Sequence, residues 1–274
     1  MRYRKGFISI NDSRDIPMLL LIRDSRAISL EQLYAVLPLL KIEANRNTAY
    51  WRIRRLEENG YVEQLKESRT VGCPVYAITH QGLGLLESRG HCLLALGSFS
   101  RTIVEDAEVL HMIALTAIRL SLLRSKKLIL WKNELQVVSE NLAVYGQATK
   151  DYDAHVTVRT SAGPRSFGLE YERTAKSAGR YQEIRDMIDA DPRTSFVLYL
   201  SPSQELNFLL SQELAGTRAQ IALGLLSQFH NEHLQMRVVV PEKHRNSWKV
   251  LEEMLIAKAM AGDASGDSAA QLSA

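Results

Sequence analysis

The spacing of apolar residues predicts three successive helices near the start of the chain. Residues 15–26 and 29–38 carry helical patterns, and Ser29 is placed to cap the second helix. In the third helix, at residues 47–59, hydrophobic side chains recur at positions i, i+4 and i+7 and form one buried face: Ala49, Ile53 and Leu56. Asn47 is predicted as the N-cap of this helix, and Gly60 as the residue that ends it.

Two short strands and a fourth helix are predicted next. "YVEQL" and "VYAIT" read as strands on either side of a loop, and Thr79 is placed to cap the helix "HQGLGLLESRG". This order of three helices, a hairpin and a helix is that of a winged helix-turn-helix. The stretches "RRLEENGYVEQL" and "YAITHQGLGLLE" resemble bacterial regulators of that class. The resemblance implies that residues 12–90 bind DNA.

The uneven charge of the chain supports a nucleic-acid partner. Residues 1–90 carry 14 Lys and Arg against 10 Asp and Glu, while residues 91–274 carry 20 against 21. A major groove about 12 Å wide accepts one helix, whose exposed side chains can reach base edges. The candidate contacts with double-stranded DNA are, on the third helix and the wing, Arg46, Asn47, Thr48, Trp51, Arg54, Arg55, Lys66 and Arg69. Other interpretations stay open: the arginines could form a solvated or protein-binding surface, and Trp51 could pack under the wing.

The remaining pattern predicts an α/β domain whose mixed sheet is covered by helices on both faces. A long, largely buried apolar helix is predicted to start at Thr102, where Thr102 and Glu105 form a capping box. Then come a strand or extended segment at 127–138, a hairpin, a helix at 177–191, the strand "SFVLYLS", one or two helices within 204–229 and the strand "LQMRVVVP". The predicted limits are 1–92 for the DNA-binding domain, 93–101 for a linker, 102–255 for the α/β domain and 256–274 for a disordered tail.

The hairpin "DYDAHVTVRTSAGPRSFGLEYERTAKS" places three acidic residues on one side of the sheet. If Thr160 faces Arg165 across the turn, Asp153 lies opposite Glu172. Because side chains alternate along a strand, these two acids and Glu170 share the face opposite to the apolar side chains. Convergent carboxylates repel one another, and a Mg²⁺ or Mn²⁺ ion bound by their oxygens would remove that cost.

Four further blocks, "VLHMIAL", "WKNE", "YDAHV" and "GLEYERTAKSAGRYQEI", resemble the replication-relaxation family of plasmid and mobile-element proteins. That family is similar in having a winged helix followed by a PD-(D/E)xK nuclease-like domain, so the resemblance covers about residues 12–240. It implies a restriction-endonuclease-like fold in which the three acids are candidate metal ligands. The candidate catalytic residues are Asp153, Glu170, Glu172 and Lys176. Two residues depart from the motif, since Tyr152 stands in place of the proline and Glu172 in place of the lysine.

Three interpretations of the acids stay open: a nuclease fold that only binds, an active metal site, and the solvated face of a strand. The leading hypothesis is a DNA-binding protein of a plasmid or mobile element that acts in replication, mobilisation or transcriptional control. The alternative is a Mg²⁺-dependent nickase or endonuclease. The long apolar helix is consistent with a homodimer. With no apolar run of membrane-spanning length, no signal-peptide pattern and only two cysteines, a cytoplasmic protein is expected, and no small-molecule substrate is indicated.

Overall fold

The computed structural model describes residues 9–66, 71–94, 106–144, 149–242 and 246–257. The chain forms two compact units, Met1–Leu120 and Ser121–Ala274. The division falls within a helix, whereas the predicted linker at 93–101 lies largely outside the described residues. The predicted capping box of Thr102 and Glu105 and most of the predicted tail also lie outside them. The domain limits therefore stay a prediction.

The first unit contains the predicted winged helix-turn-helix. Its elements are α1 (Asp15–Ser25), β1 (Ile28–Ser29), α2 (Leu30–Leu39), α3 (Arg46–Glu58), β2 (Val62–Gln64), β3 (Val75–Ile78) and α4 (His80–Ser88). The three strands form an antiparallel sheet in the order β1–β3–β2. The two-residue strand β1 was not predicted, because so short a segment leaves no period in the sequence.

The N-cap of α3 is Asn45, two residues before the predicted cap at Asn47. The Asn45 side chain accepts hydrogen bonds from the backbone N–H groups of Asn47 and Thr48, at 2.9 and 3.1 Å. The caps predicted at Ser29 and Thr79 are confirmed, since each side chain accepts a hydrogen bond from the first turn of its helix.

The two faces of α3 have opposite environments. The predicted apolar face is confirmed, because Ala49, Ile53 and Leu56 are at most 4% exposed. Gly60 follows the helix with φ of 74°, the left-handed conformation in which glycine commonly ends a helix. The opposite face is thereby left on the outside of this unit.

The second unit is built on a seven-stranded sheet. Helix α5 (Asp106–Arg124) crosses the division between the units. The elements that follow are β4 (Leu128–Asn133), α6 (Glu134–Val144), β5 (Ala154–Thr160), β6 (Gly163–Tyr171), α7 (Ala178–Ala190), β7 (Phe196–Ser201), α8 (Gln204–Glu213), β8 (Gln220–Leu225), α9 (Leu226–Glu232), a 3₁₀ turn (His233–Gln235), β9 (Arg237–Val240) and β10 (Ser247–Val250). Residues 251–257 are helical. Over the described ranges, no helix combines the length and apolar character that crossing a bilayer requires.

The strand order β10–β9–β8–β7–β6–β5–β4 makes the sheet mixed. Strands β6, β7 and β8 are parallel, and α7 and α8 form the crossovers between them, whereas the flanking strands pair antiparallel. The predicted α/β class with a mixed sheet is confirmed. Edge strand β4 carries a register shift against β5 between Leu128 and Leu130.

Three segments of the second unit differ from the prediction. The second half of segment 127–138 belongs to α6, which Asn133 caps by accepting a hydrogen bond from the backbone N–H of Gln136 at 3.1 Å. Residues 220–225, predicted as helix, form the interior strand β8, and β10 was not predicted. A six-residue apolar run cannot separate a buried strand from a buried helix by its period, so the local pattern was misleading here.

The hairpin of β5 and β6 is two residues out of the predicted register. Thr160 pairs with Gly163 and not with Arg165, because the loop contains only Ser161 and Ala162. Gly163 has φ of 97°, and the Thr160 hydroxyl donates to the Gly163 carbonyl at 2.7 Å, which closes the turn. A shift of two residues preserves the alternation of side chains, so the predicted separation of the two faces holds.

One face of the sheet lies under α7 and α8. The buried side chains of this layer come from both helices and from the parallel strands: Tyr181, Ile184, Ile188, Val197, Tyr199, Leu206, Leu210, Ile221 and Leu223. Glu170 of β6 pairs with Tyr199 of β7. Because paired residues of neighbouring strands point to the same side, Glu170 belongs to this helix-covered face.

Candidate nucleic-acid interface and acidic cluster

The three acids of the hairpin come together where β6 ends and β5 begins. Asp153 immediately precedes β5, and its Oδ2 accepts a hydrogen bond from the backbone N–H of Tyr171 at 2.7 Å. Glu170 lies one residue before Tyr171 in β6. Glu172 follows it and donates its own N–H to the carbonyl of Leu200 at 2.9 Å. This group of acids is called the acidic cluster below.

Two lysines pair with the acidic cluster. Lys150 Nζ lies 2.5 Å from Glu170 Oε1, and the two side chains are only 10% and 13% exposed. The same ammonium group donates to the carbonyl of Asp151 at 2.8 Å, which holds it in place. Lys176, at the start of the crossover to α7, forms an ion pair with Glu172. The cluster therefore carries its own cations.

Burial and neighbouring charges act in opposite directions on Glu170. Burial raises the pKa of Glu170 to about 7; Lys150 opposes the rise, and the negative charge of Asp153 adds to it. Burial also raises the pKa of the Tyr199 hydroxyl well above its ordinary value, and the three carboxylates raise it further. The three acids therefore have a common neighbour in the Tyr199 hydroxyl.

The described residues do not fit a metal site of the expected kind. Within the described ranges, no group of three or more His, Cys, Asp or Glu side chains is arranged to hold a metal ion. Glu170 and Glu172 face ammonium groups instead, and these remove the same like-charge repulsion that a divalent cation would remove. The roles of Asp153, Glu170 and Glu172 as metal ligands, and of Lys176 as a catalytic residue, stay predictions.

Tyr152, which replaces the proline of the nuclease motif, serves packing. Its side chain is fully buried, and its ring meets the His155 ring edge-on with centroids 5.0 Å apart. Gly168 makes room for it, because a Cβ atom at that position would lie 2.9 Å from two carbons of the Tyr152 ring. Burial lowers the pKa of His155 to about 4, so this imidazole is uncharged at neutral pH.

In the first unit, an ion-pair network holds α3 against α1. Asp15 is completely buried and pairs with Arg52 at 3.0 Å and with Arg55. Arg52 also reaches Glu43 at 3.4 Å, and Arg14 contacts the same carboxylate at 3.0 Å. Burial alone would raise the pKa of Glu43, but a backbone hydrogen bond and the two guanidinium groups outweigh it and hold that pKa below its ordinary value.

The three arginines of α3 that were predicted as DNA contacts lie in different surroundings. Arg55 does not point away from the buried face as expected, because its guanidinium is drawn to the buried carboxylate of α1 and the side chain is only 22% exposed. Arg46 and Arg54 are more exposed and pair with Glu31 at 2.9 Å and Glu57 at 3.0 Å. These two arginines are the ones that α3 presents outward.

The other predicted contacts are mostly exposed. Trp51, at 74%, is the most exposed large apolar side chain of the described residues. Asn47 and Lys66 are exposed, and Thr48 is half-buried at the start of α3. Arg69 lies outside the described residues. The outward face of α3 thus combines an aromatic, an amide and two arginines.

Sequence reasoning missed the charged residues that neutralise the buried acids. Lys150 precedes Asp153 by three residues, but it lies before the strand, where alternation assigns it no face. The sequence offers only a weak indication that Asp15 is buried. Asp15 opens the otherwise apolar run "DIPMLLLI", and a carboxylate at the start of such a run is buried when the helix itself is buried. Nothing in the local pattern of α3 distinguishes Arg52 from its solvent-facing neighbours.

The family model described as replication-relaxation matches residues 19–191. The match extends from α1 to the end of α7 and so includes both the winged helix and the acidic cluster. No curated protein matches the sequence. Among solved structures, the restriction endonuclease FokI is similar over 80% of this chain and 43% of its own, at 13% identity and a TM-score of 0.22. This chain spans less than half the length of that enzyme, and so weak a similarity transfers no property to it. Because the family match covers more than half of the sequence, the chain belongs to the replication-relaxation family.

Proposed function

We propose that this chain is a DNA-binding protein of a plasmid or mobile element and that it recognises double-stranded DNA with α3. The observation that carries the proposal is the division of this helix into two faces. One face is fixed by buried ion pairs, while the other exposes Trp51, Asn47 and two arginines. A helix held rigidly in this way can enter a major groove. Membership of the replication-relaxation family supports a role in replication, mobilisation or transcriptional control.

The surface ion pairs of α3 are compatible with DNA binding. Arg46 and Arg54 pair with glutamates, but a pair between exposed side chains contributes only about 0–1 kcal/mol. A phosphate or a base edge can therefore replace the glutamate. Lys66 at the base of the wing would add a phosphate contact. Each phosphate that is neutralised releases counterions, so affinity should fall steeply with salt.

Gel retardation with a library of duplex DNA fragments at low salt tests this proposal. Replacing Arg54 by Ala removes an outward donor of α3, and we expect a loss of affinity of roughly 5- to 150-fold for the selected duplex, the range for a base contact. Arg89→Ala is the matched control, because Arg89 is similarly exposed and similarly paired, with Asp12 at 3.3 Å, but lies at the end of α4. Absence of duplex binding by the wild-type chain would overturn the proposal.

The second unit is proposed to bind and not to cut. The support is that lysines neutralise Glu170 and Glu172, in a cluster that the described residues do not complete as a metal site. Supercoiled plasmid incubated with the chain and Mn²⁺ should therefore stay supercoiled. The alternative, a metal-dependent nickase, requires relaxed or linear product that disappears in Glu170→Ala.

A homodimer that reads paired half-sites is a further part of the proposal, and it rests on the apolar character of α5. In the structure α5 uses part of this surface within the chain, since Val109 and Met112 pack against Ala27 and Val75. Analytical ultracentrifugation of the full chain, with and without the selected duplex, decides between a monomer and a two-fold dimer.

A further inference from the structure

A groove in the second unit lies at the carboxyl end of the parallel strands. It is lined by the last residues of β8, the first turns of α8 and residues of α9, β9 and β10, and its volume is about 210 Å³. This is smaller than the roughly 300–1,000 Å³ of ordinary small-molecule sites, so it suits a single ring system and not a complete cofactor. In open α/β sheets, ligands bind outside the carboxyl ends of the strands, at points where the connections change direction.

Two exposed aromatic side chains flank the groove. Phe208 of α8 is 62% exposed and Trp248 of β10 is 58% exposed, although large apolar side chains are normally buried. Trp248 pairs with Val239, and Val239 pairs with Leu223. These three side chains share one face of the sheet, which is the face that α8 covers. One aromatic therefore approaches the groove from the sheet and the other from the helix above it.

Three polar side chains of the groove have no partner in the described part of the chain. Gln204, Gln228 and Arg237 line the groove, and none of their side chains forms a hydrogen bond or ion pair with another described residue. By contrast, Asn246 donates to the Ser211 hydroxyl at 3.0 Å, so that part of the wall is already fixed. No acidic residue lines the groove among the described residues, so Arg237 gives it a positive charge.

We propose that this groove binds an unstacked base of single-stranded DNA, an inference that rests on the proposed function of the chain as a DNA-binding protein. Aromatic side chains provide surfaces on which bases of any type can stack. The free amides of Gln204 and Gln228 offer donors and acceptors for the edge of the base. Arg237 offers a guanidinium for the phosphate that accompanies it. A peptide would need none of the positive charge, and a free anion would need neither aromatic.

The groove and the acidic cluster lie along the same edge of the sheet. The cluster is at the end of β6 and the groove at the end of β8, two strands away. With neighbouring strands about 4.8 Å apart, roughly 10 Å separate them along this edge. A single strand of DNA could follow the edge, because Lys150 and Lys176 offset the charges of Glu170 and Glu172 and so reduce the repulsion of its phosphates.

The experiment measures fluorescence anisotropy of a labelled 12-nucleotide oligothymidine with the full chain. Phe208→Ala should weaken this binding roughly 5- to 150-fold, which is the loss expected from one stacked base. Phe208→Tyr, which keeps a stacking surface, should restore it. An abasic strand of the same length, with the same phosphates, should bind the wild-type chain as weakly as the ordinary strand binds Phe208→Ala.

Leu130→Ala is the matched control, because Leu130 is 47% exposed on the opposite edge strand of the same sheet. Equal binding of ordinary and abasic strands, or equal binding by wild type and Phe208→Ala, would overturn the proposal, as would absence of single-strand binding at low salt. Duplex retardation measured in parallel separates the two proposals. Phe208→Ala should leave it unchanged, and Arg54→Ala should weaken duplex binding while single-strand binding stays intact.

Discussion

In the first unit the buried acids Asp15 and Glu43 face arginines, whereas in the second unit Glu170 and Glu172 face lysines. An arginine offers five donors in a rigid plane and can serve two carboxylates at once, as Arg52 does. A lysine instead carries one ammonium group on a flexible side chain. The pKa of Glu43 is correspondingly held below its ordinary value, while burial raises that of Glu170 to about 7. The comparison shows that several donors outweigh burial at Glu43, whereas burial and the like charge of Asp153 outweigh the lysine at Glu170.

The largest effect should come from removing the acid that the arginines share. Asp15→Ala leaves Arg52 and Arg55 without the carboxylate they both contact, and breaking a buried pair in this way costs about 3–5 kcal/mol. The free energy of unfolding from urea titration measures this loss. Asp12→Ala is the control, since Asp12 is 66% exposed and its pair with Arg89 should contribute at most about 1 kcal/mol. Equal losses for the two variants would show that the network does not hold α3.

A smaller and pH-dependent loss is expected when the lysine partner is removed. Lys150→Met leaves the Glu170 carboxylate buried without its cation, which should cost about 3 kcal/mol at pH 8. At pH 5 the same variant should lose less, because Glu170 can then take up a proton and become neutral. Urea titrations at both pH values test this. Lys132→Met is the control, because it breaks an exposed pair with Glu140 and should show no difference between the two pH values. An equal loss at both pH values for Lys150→Met would contradict the distinction drawn between the two units.

The smallest effect concerns the pH profile of the intact pairs. Because the pKa of Glu170 is raised to about 7 from an ordinary value of 4.5, the folded chain binds this proton more tightly than the unfolded chain. The contribution of Glu170 is therefore most favourable below pH 4.5 and declines as the pH rises towards 7. Glu43 has the opposite sign, since its lowered pKa gives a contribution that is lost as the solution becomes acidic.

The melting temperature of Glu170→Gln, relative to that of the wild type, should therefore rise as the pH is increased from 5 to 8. Glu43→Gln should instead lose most at neutral pH and least in acid. Melting curves between pH 5 and pH 8 measure the profile of Glu170→Gln, and curves extended below pH 4.5 measure that of Glu43→Gln, because the lowered pKa of Glu43 lies below its ordinary value of 4.5. Parallel profiles for the two variants would mean that arginine and lysine hold buried acids equally well in this chain.

The periodicity of the sequence predicted which side chains share a face, but it did not predict the helix cap or the length of the hairpin loop. It identified the buried stripe of α3, and it placed the acids of the hairpin on one side even though the register was wrong by two. The cap of α3 was missed because Asn45 and Asn47 are both suitable residues and only the fold decides between them. The sequence "SAGP" likewise allows more than one loop length.

The partners of the buried acids could not be predicted, because they are distant in the sequence. Lys150 and Glu170 are 20 residues apart, and Asp15 is 37 and 40 residues from Arg52 and Arg55. No local period connects such positions, and only the packing of the elements brings them together. The same reason explains why the groove at the end of β8 was missed, since its walls come from five separate elements and β8 itself was predicted as helix.

The two outer strands of the large sheet also bear on how the chain behaves at high concentration. A long regular border would offer a row of N–H and C=O groups to a strand from another molecule and so promote aggregation. Here one border is interrupted by the irregularity between Leu128 and Leu130, and the other, β10, is only four residues long. Although Ile129 and Leu130 expose apolar surface, neither border is a good template for the extension of the sheet by further copies.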